Sequence, residues 1–418
     1  MFCFLYLPIN TKAQSVDVLI HENGTERQES IDLPKSMTYP IDSLLNDWKA
    51  EKYIQIGKDC STADENPLFS DSVYIDRLSR IPTIMEMPYN DIVRKFIDMY
   101  ASRLRHQVSF MLSASNFYIP IFEEALDAYN LPLELKYLPI IESALNPSAA
   151  SRAGASGLWQ FMIGTGKIYG LEVNSLVDER RDPIKATWAA ARYLKDLYDI
   201  YQDWNLVIAA YNCGPGNINK AIRRSGGKND YWSIYNYLPK ETRGYVPAFI
   251  AANYLMTYYC DHNICPMETD MPVNTDTIEV SQNLHFEQIS AICGISIEQL
   301  KSLNPQYRRN IIPGNIQPYT LRLPYNYISA FIDNQDTIYK YHADELFNNR
   351  RVVEVKAGSY NNTRGQTQRS GTTYHKIRKG ETLSTIAQRY HVRINEIKEW
   401  NNLSSNNITA GKRLKIHK

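Results

Sequence analysis

The sequence predicts a multidomain chain: an all-α domain over residues 89–265, followed by two small α+β modules at 274–325 and 374–418. Three observations predict it. Apolar residues recur at helical spacing from Tyr89 to His262, and clear strand signals are absent there. A strand–helix–helix–strand order then occurs twice, an approximate internal repeat. Between the copies, Val355–Thr373 is polar with no apolar period, as expected of a flexible linker.

Taken in order, residues 1–14 open with the apolar run Met1–Pro8, far short of a membrane span. Thr11-Lys12-Ala13-Gln14 resembles a cleavage region, so these residues read as the remnant of an export signal or as an ordinary terminus. Residues 15–88 form an N-terminal extension with one helix expected near Ile41–Tyr53. In the helical domain Ile92, Val93, Phe96, Ile97, Tyr100, Leu104 and Val108 share a stripe, and Phe117–Tyr129 and Leu133–Ser143 continue the pattern. Pro132 opens a helix at its first turn, where proline's missing N–H is harmless, and Asp182-Pro183 starts the next helix, with Ala186, Ala189, Ala190, Tyr193, Leu194 and Leu197 on a stripe. Trp204–Tyr211 and Ile218–Arg224 are separated by Cys213-Gly214-Pro215-Gly216, and Pro247–Tyr259 closes the domain. The first module reads as strand Thr277–Val280, helices Phe286–Cys293 and Ile297–Leu303, and strand Tyr319–Leu323. The linker is expected over 326–373. The second module repeats the order with Tyr374–Ile377, Leu383–Tyr390, Ile394–Trp400 and Arg413–Ile416.

Thirty tyrosines against twelve phenylalanines favour flat faces with polar tips, which suit sugar rings or a half-buried surface. From Arg369 to Lys418 eleven Lys/Arg face three Asp/Glu, a net +8; the whole chain is +1, so the remainder carries −7. A basic tail on an acidic body points to an anionic surface, or only to solubility. Six cysteines and eight histidines form no zinc-spaced or HExxH pattern, so no metal or cofactor is expected. Cys260 and Cys265 either close a small loop or remain two thiols.

The chemistry gathers at Glu142. It ends an apolar helical run, Leu133–Ile141, and is followed by a turn at Asn146-Pro147, a small-residue loop and a second apolar run bearing Gln160. Desolvation penalises a carboxylate, so the pKa of Glu142 is expected to rise, leaving an acid able to protonate a leaving oxygen near neutral pH. The alternative is an exposed helix-end glutamate. No Asp or Glu follows until Glu172, and Asp178–Asp182 read as a charged structural turn.

Several segments combine with Glu142-Ser143: Ser151, Gly154–Met162, Gly164-Thr165-Gly166, Tyr169-Gly170-Leu171, Asp178–Pro183, Ala210–Gly216 and Glu241–Pro247. Their order and spacing resemble the lytic murein transglycosylases related to goose-type lysozyme, of the membrane-bound D type. The resemblance implies a lysozyme-like catalytic fold over roughly 90–262. It makes Glu142 the single acid/base, and Ser151, Gln160, Met162, Tyr211, Asn212 and Tyr245 substrate-binding residues. Met162 and Tyr211 read equally as core, Ser151 as a loop residue and Asn212 as a helix C-terminus. The family's nucleophile is the substrate's own N-acetyl oxygen, so the product is a 1,6-anhydro sugar. Two positions depart from the family pattern: Cys213 stands in place of a small residue, and Ile163 in place of a frequent proline.

The segment Tyr374–Ile416 is similar to LysM domains, which implies binding of N-acetylglucosamine-containing glycan through Gly380, Glu381, Thr382, Leu383, Asn401 and Asn402. Trp400-Asn401-Asn402 reads equally as core and cap. The copy at 274–325 lacks the GETL-type turn and looks like a degenerate LysM module serving as a spacer. These resemblances imply an exported, monomeric enzyme of the periplasm or cell envelope, with peptidoglycan strands as partner and no nucleic acid. The rivals are a hydrolytic muramidase and a non-catalytic wall-binding scaffold.

Overall fold

A computed structural model describes residues 15–22, 25–39, 50–53, 65–269, 271–272 and 274–347. Toward the C-terminus it describes 372–377, 381, 383, 386, 390, 394–401, 403, 408–409 and 411–417. The chain divides into two units, Met1–Tyr360 and Asn361–Lys418. The export-signal expectation over 1–14 and the polar tract 355–371 lie outside the described residues. Among the described residues no helix is long and apolar enough to cross a membrane.

The N-terminal extension packs onto the helical domain. Ser15–Glu22 and Thr25–Asp32 pair as an antiparallel hairpin, and Val18 and Ile31 enter the main core. The hairpin lies on helices Asp91–Ala101 and Lys240–Tyr258. A Cβ on Gly244 would come within 2.7 Å of the Asp32 carbonyl oxygen, so glycine lets the hairpin seat on the helix backbone. The helix expected near Ile41–Tyr53 is corrected in part: Ala50–Tyr53 is a strand paired with Met267–Thr269, and 41–49 lie outside the described residues. An additional helix, Asp71–Arg80, buries Tyr74 and Leu78.

The helical domain follows the predicted stripes, with shifted ends. Asn90 caps Asp91–Ala101 by accepting from the Ile92 and Val93 N–H groups. After a break, Arg105–Ala128 runs as one helix through Pro120. Asp182 accepts from the Ile184 and Lys185 N–H groups, capping Pro183–Tyr201, whose buried face includes Ala186, Ala189, Ala190, Leu194 and Leu197. Trp204–Cys213 ends at Gly214, where φ is +80°, and Pro215–Arg224 follows. The last helix starts at Lys240, not at Pro247. Pro247 has no N–H for the Arg243 carbonyl. That carbonyl accepts instead from the Tyr231 hydroxyl at 2.7 Å, so the helix passes through the proline.

In the middle module, Thr275–Val280 pairs with Tyr319–Pro324 and Asn283–His285 with Ile311–Pro313. Helices Phe286–Cys293 and Ile297–Leu303 cover this layer. The linker expectation over 326–373 is corrected at its start. Short helices at Ile328–Asp333, Gln335–Lys340 and Ala343–Leu346 follow, and Phe331 and Ile338 are buried in the module's core. Cys265 is disulfide-bonded while Cys260 keeps its thiol, so no Cys260–Cys265 loop is closed. In the C-terminal unit Thr372–Lys376 pairs with Arg413–His417, and Ile394–Trp400 is helical.

Candidate active site

Glu142 projects from a one-turn-and-a-half helix, Leu138–Ser143, entered from a 3-10 turn at Leu133–Tyr137. Leu138, Pro139, Ile140, Ile141 and Ser143 are buried, while Glu142 is half-buried. The helix ends abruptly because Ala144 and Leu145 both take positive φ, 51° and 59°. Such a conformation is costly for residues with a Cβ; burial of both side chains holds it. Ser143 Oγ bridges to the carbonyls of Pro139 (3.0 Å) and Leu158 (2.9 Å), tying this helix to the loop that follows. From the N-terminal segment, Ser36 Oγ donates to the Ile141 carbonyl at 2.6 Å.

The loop over 149–161 forms one wall. Ala155 N–H donates to Ser151 Oγ at 3.0 Å, and Gln160 Nε2 donates to the Gly157 and Ala149 carbonyls at 2.8 and 3.2 Å. Trp159 is fully buried, and its Nε1 donates to Thr187 at 2.9 Å. Behind the loop, Arg180 makes two bonds to Asp178, each 2.8 Å, and donates to the Gly154 and Phe161 carbonyls at 2.7 and 2.9 Å. The charged turn read in the sequence is therefore the internal brace of this wall.

These elements enclose a cavity of about 380 Å³ lined by Glu142, Ser151, Gln160, Met162, Tyr211, Asn212 and Tyr245, all seven residues singled out in the sequence. Tyr245 donates from its hydroxyl to the Glu142 carboxyl. Tyr211 donates to the Trp159 carbonyl at 2.8 Å, and Asn212 Oδ1 accepts from Thr242 Oγ1 at 2.8 Å. Met162 sits at the rim, 45% exposed. Phe161, Tyr193 and Tyr211 give the cavity a cluster of ring faces, with the Tyr193 and Tyr211 centroids 5.2 Å apart.

Sequence reasoning missed Pro34, Lys35 and Glu241, which also line the cavity. Lys35 reaches it from the segment after the hairpin, and its Nζ lies 3.5 Å from Glu241. Burial pushes the Glu142 carboxyl up to about 8; the Tyr245 hydroxyl and the Lys35 charge pull against this, and Glu241 reinforces it. Burial, and after it the Glu142 charge, also raises the pKa values of Tyr211 and Tyr245, so both stay protonated donors.

In the C-terminal unit Leu383 is a core residue, 2% exposed, which corrects its assignment to a glycan surface. Asn401 is a latch. Its amide donates to the Ile397 and Lys415 carbonyls, both at 2.8 Å, and accepts from Lys415 N–H at 2.7 Å. Asn304 in the middle module makes the same set with Leu300 and Arg322. The cap reading therefore accounts for Asn401. Glu381 faces His375 Nε2 at 2.7 Å. Gly380, Thr382 and Asn402 lie outside the described residues.

Three family models match: Transglycosylase SLT domain over 120–234, Lytic transglycosylase MltD, LysM-like domain over 274–340, and LysM domain over 375–417. The second match extends past 325 and takes in the first two of the helices found there, Ile328–Asp333 and Gln335–Lys340. The chain is 30% identical to the membrane-bound lytic murein transglycosylase D of Escherichia coli K12 over 79% of its own length and 70% of that protein. It is 33% identical to the soluble lytic murein transglycosylase of the same organism over 28% of this chain and 19% of that one. A crystal structure of the 70 kDa soluble lytic transglycosylase from E. coli aligns over 35% of this chain and 25% of that chain, at 28% identity and a TM-score of 0.30. With 30% identity over 79% of this chain and 70% of that relative, the chain belongs to the membrane-bound lytic murein transglycosylase D family.

Proposed function

We propose that the chain is a peptidoglycan lytic transglycosylase, a carbon–oxygen lyase on polysaccharide. It cuts the β-1,4 bond between N-acetylmuramic acid and N-acetylglucosamine and leaves a 1,6-anhydro end. The supporting observation is a carboxyl held up to about 8, hydrogen-bonded by Tyr245, inside a cavity with aromatic walls. Near neutral pH Glu142 gives its proton to the departing glycosidic oxygen while the N-acetyl oxygen of the same sugar bonds to the anomeric carbon. The resulting carboxylate then takes the proton of the C6 hydroxyl, whose oxygen closes on that carbon and releases the acetamido oxygen. Water is not consumed. Gln160, Asn212 and the ring faces orient the sugar, an effect that contributes several kcal/mol. The LysM module carries the enzyme to the wall, and we place it, exported and monomeric, in the periplasm at the envelope.

One observation favours a second reading. Glu241 is another carboxylate on the cavity, and a hydrolytic muramidase uses two. The ion pair with Lys35 and a side chain 44% exposed fit a rim residue better than a catalytic partner. Digestion of purified sacculi decides: transglycosylation gives anhydro-ended muropeptides by mass analysis, and hydrolysis gives reducing ends that Glu241→Gln would suppress.

Two predictions concern the acid. Tyr245→Phe removes the donor that holds the Glu142 pKa down, so the basic limb of kcat/KM should move above pH 8. Its kcat should fall about 10- to 100-fold, because the carboxylate formed in the first step loses its hydrogen bond. Lys35→Gln removes a positive charge and unmasks Glu241, so the same limb should move upward, with a smaller loss of kcat. A pH–rate profile of each variant checks both.

A further inference from the structure

We infer that the middle module is a positioning element of the active site, acting through Arg308 on the loop that walls the cavity. The inference rests on reading the Glu142 cavity as catalytic. The stretch 172–182 has two faces. Toward the module, Val177 bridges to Tyr307, Arg308 N–H donates to the Leu176 carbonyl at 2.6 Å, and Asp178 N–H donates to the Gln306 carbonyl at 2.8 Å. Leu176 and Val177 are buried in the module's own core. Toward the cavity, Arg180 holds the carbonyls of Gly154 and Phe161.

Asp178 joins the two faces. Its carboxylate is fully buried, paired to Arg180 by two bonds and to Arg308 Nη2 at 2.5 Å. Burial opposes its ionisation, yet the two guanidiniums hold it below the usual carboxylate range. The Asp178 carboxylate aims the Arg180 fork, and the fork fixes the loop bearing Ala155, Gln160 and Phe161. Arg180 has little freedom to move alone, because a Cβ on Gly166 would lie 3.2 Å from its side-chain carbons. A second tie at this interface, Tyr319 OH to the Glu172 carboxylate at 2.9 and 3.0 Å, does not touch Arg180. It serves as a control.

The test uses the full chain with Arg308→Met, Arg308→Lys and Tyr319→Phe, read by kcat and KM on sacculi and by amide exchange of 154–161. For Arg308→Met kcat should fall about 10- to 100-fold, as expected for a misplaced cavity wall. KM should stay unchanged and exchange at 154–161 should quicken. Arg308→Lys should recover most of the kcat, and Tyr319→Phe should keep it. The inference is overturned if Arg308→Met leaves exchange at 154–161 unchanged, if Arg308→Lys is no better than Arg308→Met, or if Tyr319→Phe costs as much. Exchange is read without turnover, so an inactive wild type would sink the catalytic reading and still leave the clamp tested.

Discussion

Glu142→Gln should lose cleavage of sacculi by roughly a thousandfold or more and should gain stability as the pH rises. The first effect follows because glutamine keeps the shape and polarity of the side chain but has no proton to give. Binding to the wall should survive. If binding survives in a wild type that also fails to cleave, the chain is a scaffold. The second effect follows from linkage. The folded carboxyl titrates at about 8, whereas an unfolded glutamate titrates near its ordinary value of about 4.3. Between these values the unfolded chain carries the charge and the folded chain holds the proton, so wild-type stability falls as pH rises through the window. Glutamine does not titrate. The stability difference should therefore be small below about pH 4, grow across the window and level off above about pH 8. Its ceiling is about 5 kcal/mol, less for the part of the side chain that water reaches. Thermal unfolding at several pH values measures it; a constant difference would mean that Glu142 is not held protonated.

Arg180→Met should cost about 3 to 5 kcal/mol, the scale for breaking a buried ion pair from one side. The side chain is 1% exposed, and its loss leaves the Asp178 carboxylate with Arg308 alone. The Gly154 and Phe161 carbonyls lose their donor as well. Close packing prevents repair by a shift of the loop, since a Cβ on Gly157 would already lie 1.7 Å from the Arg180 carbonyl oxygen. The thermal midpoint should fall by roughly 10 °C, and activity should fall further than the folded fraction does. Adding Asp178→Asn should recover part of the loss, because a buried charge left with a single partner disappears. A midpoint within a degree or two of wild type would refute the brace.

The sequence and the structure agree where local signals coincide with packing. The Ala186–Leu197 stripe, the Asp182-Pro183 start and the two helices of the middle module were legible because periodicity and caps alone define them. Glu142 was legible as a candidate acid from its apolar flanks, but its six companions were legible only through resemblance, since their meeting depends on contacts between distant segments. The hairpin carried a signal in the sequence: Val16, Val18 and Ile20 alternate, and the dipeptide Asn-Gly that follows at 23–24 is one that two-residue hairpin turns prefer. Reading it would have raised the question of what Lys35 does just beyond. Other misses had no local signal. Pro247 lies within a helix only because a distant tyrosine satisfies Arg243, and Asn401 is a latch only because a strand returns beside it. The helices at 328–346 looked like linker because they are short and polar apart from a few anchors such as Phe331 and Ile338.

The most direct test is the titration of one carboxyl. Infrared difference spectra of wild type against Glu142→Gln, recorded from pH 4 to 10, isolate the C=O stretch of the protonated side chain at position 142. The account predicts that this band persists at neutral pH and disappears with a midpoint close to 8. A band already gone by pH 6 would contradict it, because the donor on which the chemistry depends would be a carboxylate before any substrate arrived.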